Sequence, residues 1–152
     1  MKANEFSSNI QYKSSFITEC ELKNNLVDIG EDAELQSSVK VAVSNPYVLE
    51  DSHEWSGRVR LTLDGGYSVS ESKDAQCKYH IVLIGDFAAP AETKREDFVS
   101  ALWLNASTAL YSIARGKLEA ISSMVFNNGK IVLPMINMME LLKAQSEAEN
   151  QK

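Results

Sequence analysis

The chain has 152 residues, a formal net charge of −6, 44% hydrophobic and 24% charged residues. That length supports one sizeable core, and the composition is ordinary for a globular domain. The acidic balance excludes a nucleic-acid binder that works through phosphate contacts, and no apolar run reaches the roughly 18 residues of a membrane span. Met1–Phe6 lacks the apolar centre of a signal peptide, so the expected compartment is the cytoplasm.

In chain order, residues 1–10 read as a polar, flexible tail. From Phe16 the pattern alternates. Phe16, Thr18, Cys20 and Leu22 face one way, and Ile17, Glu19, Glu21 and Lys23 the other, as in a strand with one wet face. Asn24 to Gln36 reads as an acidic connection. Val39, Val41 and Val43 mark a second strand, stopped at Asn45-Pro46. Tyr47, Val48 and Leu49 are apolar residues in a loop and need a pocket. Val59, Leu61, Leu63, Tyr67 and Val69 keep one parity through Asp64-Gly65-Gly66, so a third strand runs on with a bend or bulge at the glycines. The hairpin is then expected at Glu71 to Ala75. The fourth strand is Cys77 to Phe87, with Tyr79, Ile81, Leu83 and Phe87 inward and Lys78, His80 and Asp86 outward. Cys20 and Cys77 read as reduced thiols buried in strands.

After Pro90 the periodicity changes. A long helix is expected from Arg95–Asp97 to a cap at Asn127-Asn128-Gly129, with Glu96 and Asp97 suiting its positive end. Leu102, Ala106, Leu110, Ile113, Lys117, Ile121, Met124 and Val125 lie at helical steps. Leu104, Tyr111, Ala114, Leu118 and Ala120 widen the apolar surface beyond one stripe. A helix apolar on two sides needs its own sheet and a second object, and another copy of the chain is the obvious one. Ile131 to Pro134 is extended. Asn137 caps a last helix from Met138 to about Ala144, and residues 146–152 form a polar, flexible tail. The whole is a single α+β domain: a four-stranded antiparallel sheet with one long and one short C-terminal helix on one face.

Parts for catalysis are missing. There is no GxGxxG, P-loop, GxSxG or HExxH. His53 and His80 read as solvated side chains, Glu19 and Glu21 as acids on a wet sheet face, and Ser122-Ser123 has no base at fixed spacing. No enzyme, cofactor or metal site is expected. What remains is apolar and adaptable. Met124, Met135, Met138 and Met139 crowd the C-terminal quarter, either filling core or offering a surface that accepts many partners. Phe87, Phe98, Trp103 and Tyr111 either line a groove or cap the core.

Glu119-Ala120-Ile121-Ser122-Ser123-Met124-Val125, a loop ending in Gly129, and Leu133-Pro134-Met135-Ile136-Asn137-Met138 resemble the C-terminal signature of SecB-type protein-export chaperones, approximately EAISSLV, a glycine loop and LPPVNF. Ser38–Ser44 and Ile84–Phe87 resemble strands of that family, and the likeness runs in order from Phe16 to Leu142. It implies a cytoplasmic homotetramer, a dimer of dimers, with long helices packed between the sheets. Leu110, Ile113, Ile121 and Met124 would then be interface residues. It also implies an ATP-independent holdase that binds unfolded or nascent polypeptides in a hydrophobic groove. That groove would be formed by Leu35, Phe87, Phe98, Trp103, Met135, Ile136, Met138, Met139 and Leu142. The family's outward sheet face docks the translocase motor SecA, at positions corresponding to Glu19, Glu21, Lys78 and His80. Here Leu35 stands where the family has a groove tryptophan, Leu118 where it has arginine, and Met135 replaces a proline. Other SecB-like proteins hold an antitoxin of a toxin–antitoxin system, which is the alternative role. The remaining reading is a monomeric small-molecule carrier or enzyme using the same apolar pocket.

Overall fold

A computed structural model describes residues 9–25, 29–69, 72–126 and 129–150. Four long strands, β1 (Gln11–Asn24), β2 (Ala33–Val43), β4 (Trp55–Val69) and β5 (Ser72–Ala89), form an antiparallel sheet in the order β1-β5-β4-β2. The two-residue strand β3 (Tyr47–Val48) pairs with the start of β4. The chain then forms a continuous helix from α1 (Arg95–Ala101) through a π-helical stretch (Leu102–Ala106) into α2 (Ser107–Ser123). An extended segment leads to α3 (Met138–Asn150). The fold class is therefore the α+β sheet-and-helix layer expected from the pattern.

The central strands explain the layering. In β4, Gly57, Val59, Leu61 and Leu63 are buried while Arg58, Arg60 and Asp64 are exposed, the alternation of a sheet covered on one face. Cross-strand pairing sets Leu61 opposite Leu83 and Leu63 opposite Ile81. Against this face the helix presents Phe98, Leu102, Ala106, Leu110, Ala114, Leu118 and Ser122, all buried. Leucines at full burial contribute roughly 1.5–3 kcal/mol each. The approach is close because the sheet has glycines beneath it. A Cβ on Gly57 would lie 2.5 Å from Leu102 Cδ1, and one on Gly85 2.8 Å from Leu110 Cδ1.

Several boundaries differ from the sequence reading. The first strand starts at Gln11 and carries bulges at residues 13 and 18. The second bulge reverses the side-chain parity: Phe16 pairs with Ile84 on the outer face, while Ile17 pairs with Leu83 on the inner one. Phe16 is 42% exposed beneath Arg58, whose guanidinium carbon is 5.8 Å from the ring centroid. Cys20, expected to be buried, is exposed on the edge strand; Cys77 is buried, and burial raises its thiol pKa. The second strand begins at Ala33, inside the stretch read as a connection. Tyr47, Val48 and Leu49, expected to need a pocket, are exposed.

The third strand does run through Gly65-Gly66, and the pairing register there is unbroken, so there is no bulge at the glycines. Side chains are excluded because neighbouring strands approach too closely: a Cβ on Gly66 would sit 1.8 Å from the Cys77 carbonyl oxygen. The hairpin expected at Glu71 to Ala75 falls earlier, since Val69 pairs with Ser72 and residues 70 and 71 lie outside the described residues. The long helix ends at Ser123, before the expected cap, of which Asn127 and Asn128 lie outside the described residues. Gly129 has φ of +83°, a conformation that suits glycine, in the loop that follows. The last helix runs on to Asn150, through most of the stretch read as a loose tail.

Candidate functional site

The segment after α2 is fastened along the helix by side chains spaced about one and then two turns apart. Tyr111 Oη donates to the Pro134 carbonyl at 2.8 Å, and Arg115 Nε to the Leu133 carbonyl at 2.9 Å. Ser122 is fully buried; its Oγ donates to the Glu119 carbonyl and accepts the Ile131 N–H at 2.8 Å. A buried backbone N–H without a partner is costly, so this serine sets where the chain turns back. Extended backbone then alternates: Ile131 and Leu133 enter the core, while Val132 and Met135 face out. Asn137 Oδ1 accepts the N–H groups of Met139 and Glu140, the N-cap foreseen for α3.

Against this frame the nine expected groove residues fall into three groups. Phe87, Phe98 and Met138 are buried core residues and offer no free surface. Leu35, Trp103, Ile136 and Leu142 are half-buried around the core's margin. Met135 (82% exposed) and Met139 (51%) stand in solvent. Trp103 and Leu142 do meet. With Gln145, Ser146 and Glu149 they line a cavity of about 240 Å³ between the π-helical stretch and α3.

The expected interface helix also divides. Leu110 is fully buried under its own sheet, whereas Ile113 and Ile121 are half-buried and Met124 is 78% exposed. Val125 and Val132 are exposed too, giving the helix and its return segment an uncovered apolar side.

The outer sheet face collects Glu19, Glu21, Lys78 and His80 as the alternation implied, but His80 is not the isolated solvated side chain expected. Asp64 Oδ1 lies 2.6 Å from its Nδ1 and Glu19 Oε2 lies 3.3 Å from its Nε2. The hydrogen bond to Asp64, then that to Glu19, raises the His80 pKa. Glu19 also meets Arg60 at 3.4 Å, and Glu21 meets Lys23 at 2.8 Å. The hydrogen bond to Lys23 holds the Glu21 carboxyl below its ordinary range. With Lys78, Tyr79 and Gly65, the residues Glu21, Lys23, Asp64 and His80 line a shallow cavity of about 300 Å³. Among the described residues no cluster of His, Cys, Asp and Glu is arranged to hold a metal ion, and no helix is long and apolar enough to cross a membrane.

Three features escaped the sequence reading. The π-helical stretch has one local sign, Ser107, whose buried Oγ donates to the carbonyl of Leu102 five residues back. Arg115 gave no apolar signal although it holds the return segment. Gln145 carried no signal at all, yet it reaches the edge strand.

These elements define the SecB-like fold: an antiparallel sheet with a long helix across one face, an extended return and a second helix. Among solved structures the chain is similar to the Mycobacterium tuberculosis SecB-like chaperone Rv1957 in complex with a ChAD peptide from the Rv1956 HigA1 antitoxin. The two share a TM-score of 0.64 and 11% identity, over 84% of this chain and 91% of that one. No family model and no curated protein matches the sequence. At that identity the likeness carries the fold.

Proposed function

We propose that this chain is a SecB-like chaperone, an ATP-independent holdase of the cytoplasm that binds unfolded polypeptide segments on apolar surface near its C-terminal quarter. The carrying observation is that the fold leaves Val132, Met135 and Met139 in solvent although each lies on an element docked to the core. Exposed methionines suit a surface that must accept unlike side chains. The same uncovered side supports assembly into a homotetramer, a dimer of dimers, through Ile113, Ile121 and Met124. The outer face pairs its acids with Arg60, Lys23 and His80, which argues against an acidic dock for SecA. The role we assign is holding a client rather than handing it to a translocase.

The test has two readouts. Light scattering should give a tetramer, and the protein should suppress aggregation of a chemically unfolded client near stoichiometric ratio without nucleotide. A stable monomer that suppresses nothing would overturn the proposal. A second reading, a chaperone dedicated to one antitoxin, is favoured by the peptide bound to the structurally similar mycobacterial protein. Comparable affinity for several unrelated unfolded proteins would exclude it.

A further inference from the structure

Arg115 is fixed in place without meeting an acid. Its Nε donates to the Leu133 carbonyl at 2.9 Å and its Nη1 lies 3.0 Å from the Met135 sulfur, so two contacts hold the plane of the guanidinium. On the sheet, by contrast, Arg58 meets Asp86 and Arg60 meets Glu19. Among the described residues no carboxylate lies within ion-pair distance of Arg115. A carbonyl is a neutral acceptor and a thioether a weak one, so a half-buried positive charge is left without a counter-charge, which is unfavourable. The outer end of the group, the fork of Nη1 and Nη2, matches the two oxygens of a carboxylate.

The surroundings repeat the sign. Residues 102–143 carry four basic side chains, Arg115, Lys117, Lys130 and Lys143, and two acidic ones, Glu119 and Glu140, in a chain whose net charge is −6. Glu119 is already paired with Lys130, and Glu140 stands exposed in the first turn of α3. The elements that bear the exposed methionines are therefore the basic part of an acidic protein, and such a field draws segments of negative charge.

We infer that Arg115 selects among clients by charge: its guanidinium takes the side-chain carboxylate of an Asp or Glu in an otherwise apolar unfolded segment, while an apolar neighbour in that segment lies on Met135. The inference rests on the client-binding proposal and adds to it the class of segment preferred. The thioether stays indifferent to apolar shape, and the guanidinium adds one fixed polar requirement. Because the fork is already oriented by Leu133 and Met135, little side-chain freedom is lost when a carboxylate binds. A basic segment meets like charge at the same place and is rejected.

Three blocked fluorescent peptides of one leucine- and serine-containing sequence, differing only in a central Asp, Asn or Lys, are titrated by anisotropy into the full-length protein, Arg115→Gln and Arg115→Lys. In the parent the Asp peptide should bind about tenfold more tightly than the Asn peptide, as one charge-assisted pair at a half-buried site gives, and the Lys peptide most weakly. The Asp-to-Asn ratio should fall toward one in Arg115→Gln and keep part of its value in Arg115→Lys, which retains the charge but not the fork. In the parent it should shrink as salt rises from about 0.1 to about 1 M. Equal binding of the Asp and Asn peptides by the parent overturns the inference while leaving client binding standing, and that comparison needs no variant. A ratio that survives in Arg115→Gln overturns it as well. If light scattering shows that Arg115→Gln changes the assembly, the guanidinium serves a contact between copies and the inference is wrong. If no peptide binds and no client's aggregation is suppressed, the client-binding proposal falls too.

Discussion

Replacing Ser122 by alanine isolates the contact on which the C-terminal return segment depends. The serine and Ile131 are both fully buried, and the Ile131 N–H donates to Ser122 Oγ at 2.8 Å. Alanine removes the acceptor but leaves the donor where water does not reach, which costs about 1–3 kcal/mol. The neighbouring Ser123 bonds to the Ala120 carbonyl from an exposed position, so Ser123→Ala should stay within about 0.5 kcal/mol of the parent. With a urea slope of about 2 kcal/mol/M, a loss of about 2 kcal/mol moves the midpoint down by about 1 M. Unfolding is followed at fixed protein concentration, because an assembling chain gains apparent stability by mass action. Amide exchange at Ile131 should accelerate in Ser122→Ala alone. Equal midpoints for the two variants, within about 0.5 kcal/mol, would refute the role given to the Ser122 hydroxyl.

The methionines should separate by burial. Met135→Ser with Met139→Ser should leave the melting curve nearly unchanged yet weaken client binding about tenfold, as read by anisotropy. Met138→Ala, at a site only 4% exposed, should cost about 2–5 kcal/mol in urea unfolding. The cluster around His80 predicts a pH dependence. Its folded pKa is raised by Asp64 and Glu19, so its contribution is full below the unfolded value of about 6.5 and is lost as pH rises through the folded pKa. Urea midpoints between pH 5 and 9 should show that component in the parent and lose it in His80→Gln. Gly66→Ala places a Cβ against the Cys77 carbonyl and should cost about 3 kcal/mol or more in thermal unfolding, as the strands must separate.

The strands were legible where one face is dry and the other wet. Leu61 and Leu63 alternate with Arg60, Thr62 and Asp64, and Tyr79 and Ile81 flank His80, a contrast visible in the residues themselves. The face of β1 was read correctly from Glu19 onward but reversed at Phe16 and Ile17, because a bulge at residue 18 inverts parity and leaves no fixed residue type behind. On the long helix the sequence offered two apolar stripes. The alternation of three- and four-residue steps selects Ile113, Ile121 and Met124, whereas the sheet takes Ala114, Leu118 and Ser122. The buried set recurs every four residues from Phe98 to Ser122, through the π-helical stretch at Leu102–Ala106. Chain pattern alone does not select that row over the other. The candidate site was read through methionine and aromatic content, which does not sort core Phe87, Phe98 and Met138 from exposed Met135 and Met139. The tertiary packing of β5, α1, α3 and the return segment makes that division.

The exposed methionines are held out rather than left over. Met135 follows Pro134 and Leu133, whose carbonyls are bound by Tyr111 and Arg115 one helical turn apart. The Arg115 Nη1 also lies 3.0 Å from the Met135 sulfur, so the thioether is propped against the helix with its methyl end in water. Met139 sits in the first turn of α3, which Asn137 caps, one residue beyond the buried Met138. Each exposed thioether is thus a neighbour of a residue anchored in the core, and neither can be buried without breaking hydrogen bonds that fix the segment. Exposed apolar residues gathered on one side, unlike single scattered ones, mark surfaces that bind a partner. Under the proposed role, an unfolded segment would supply that cover through unlike side chains, and methionine can meet each of them with three rotatable bonds and a polarizable sulfur. The backbone and the side chains would then do separate jobs: the first keeps the surface available, and the second keeps it unselective.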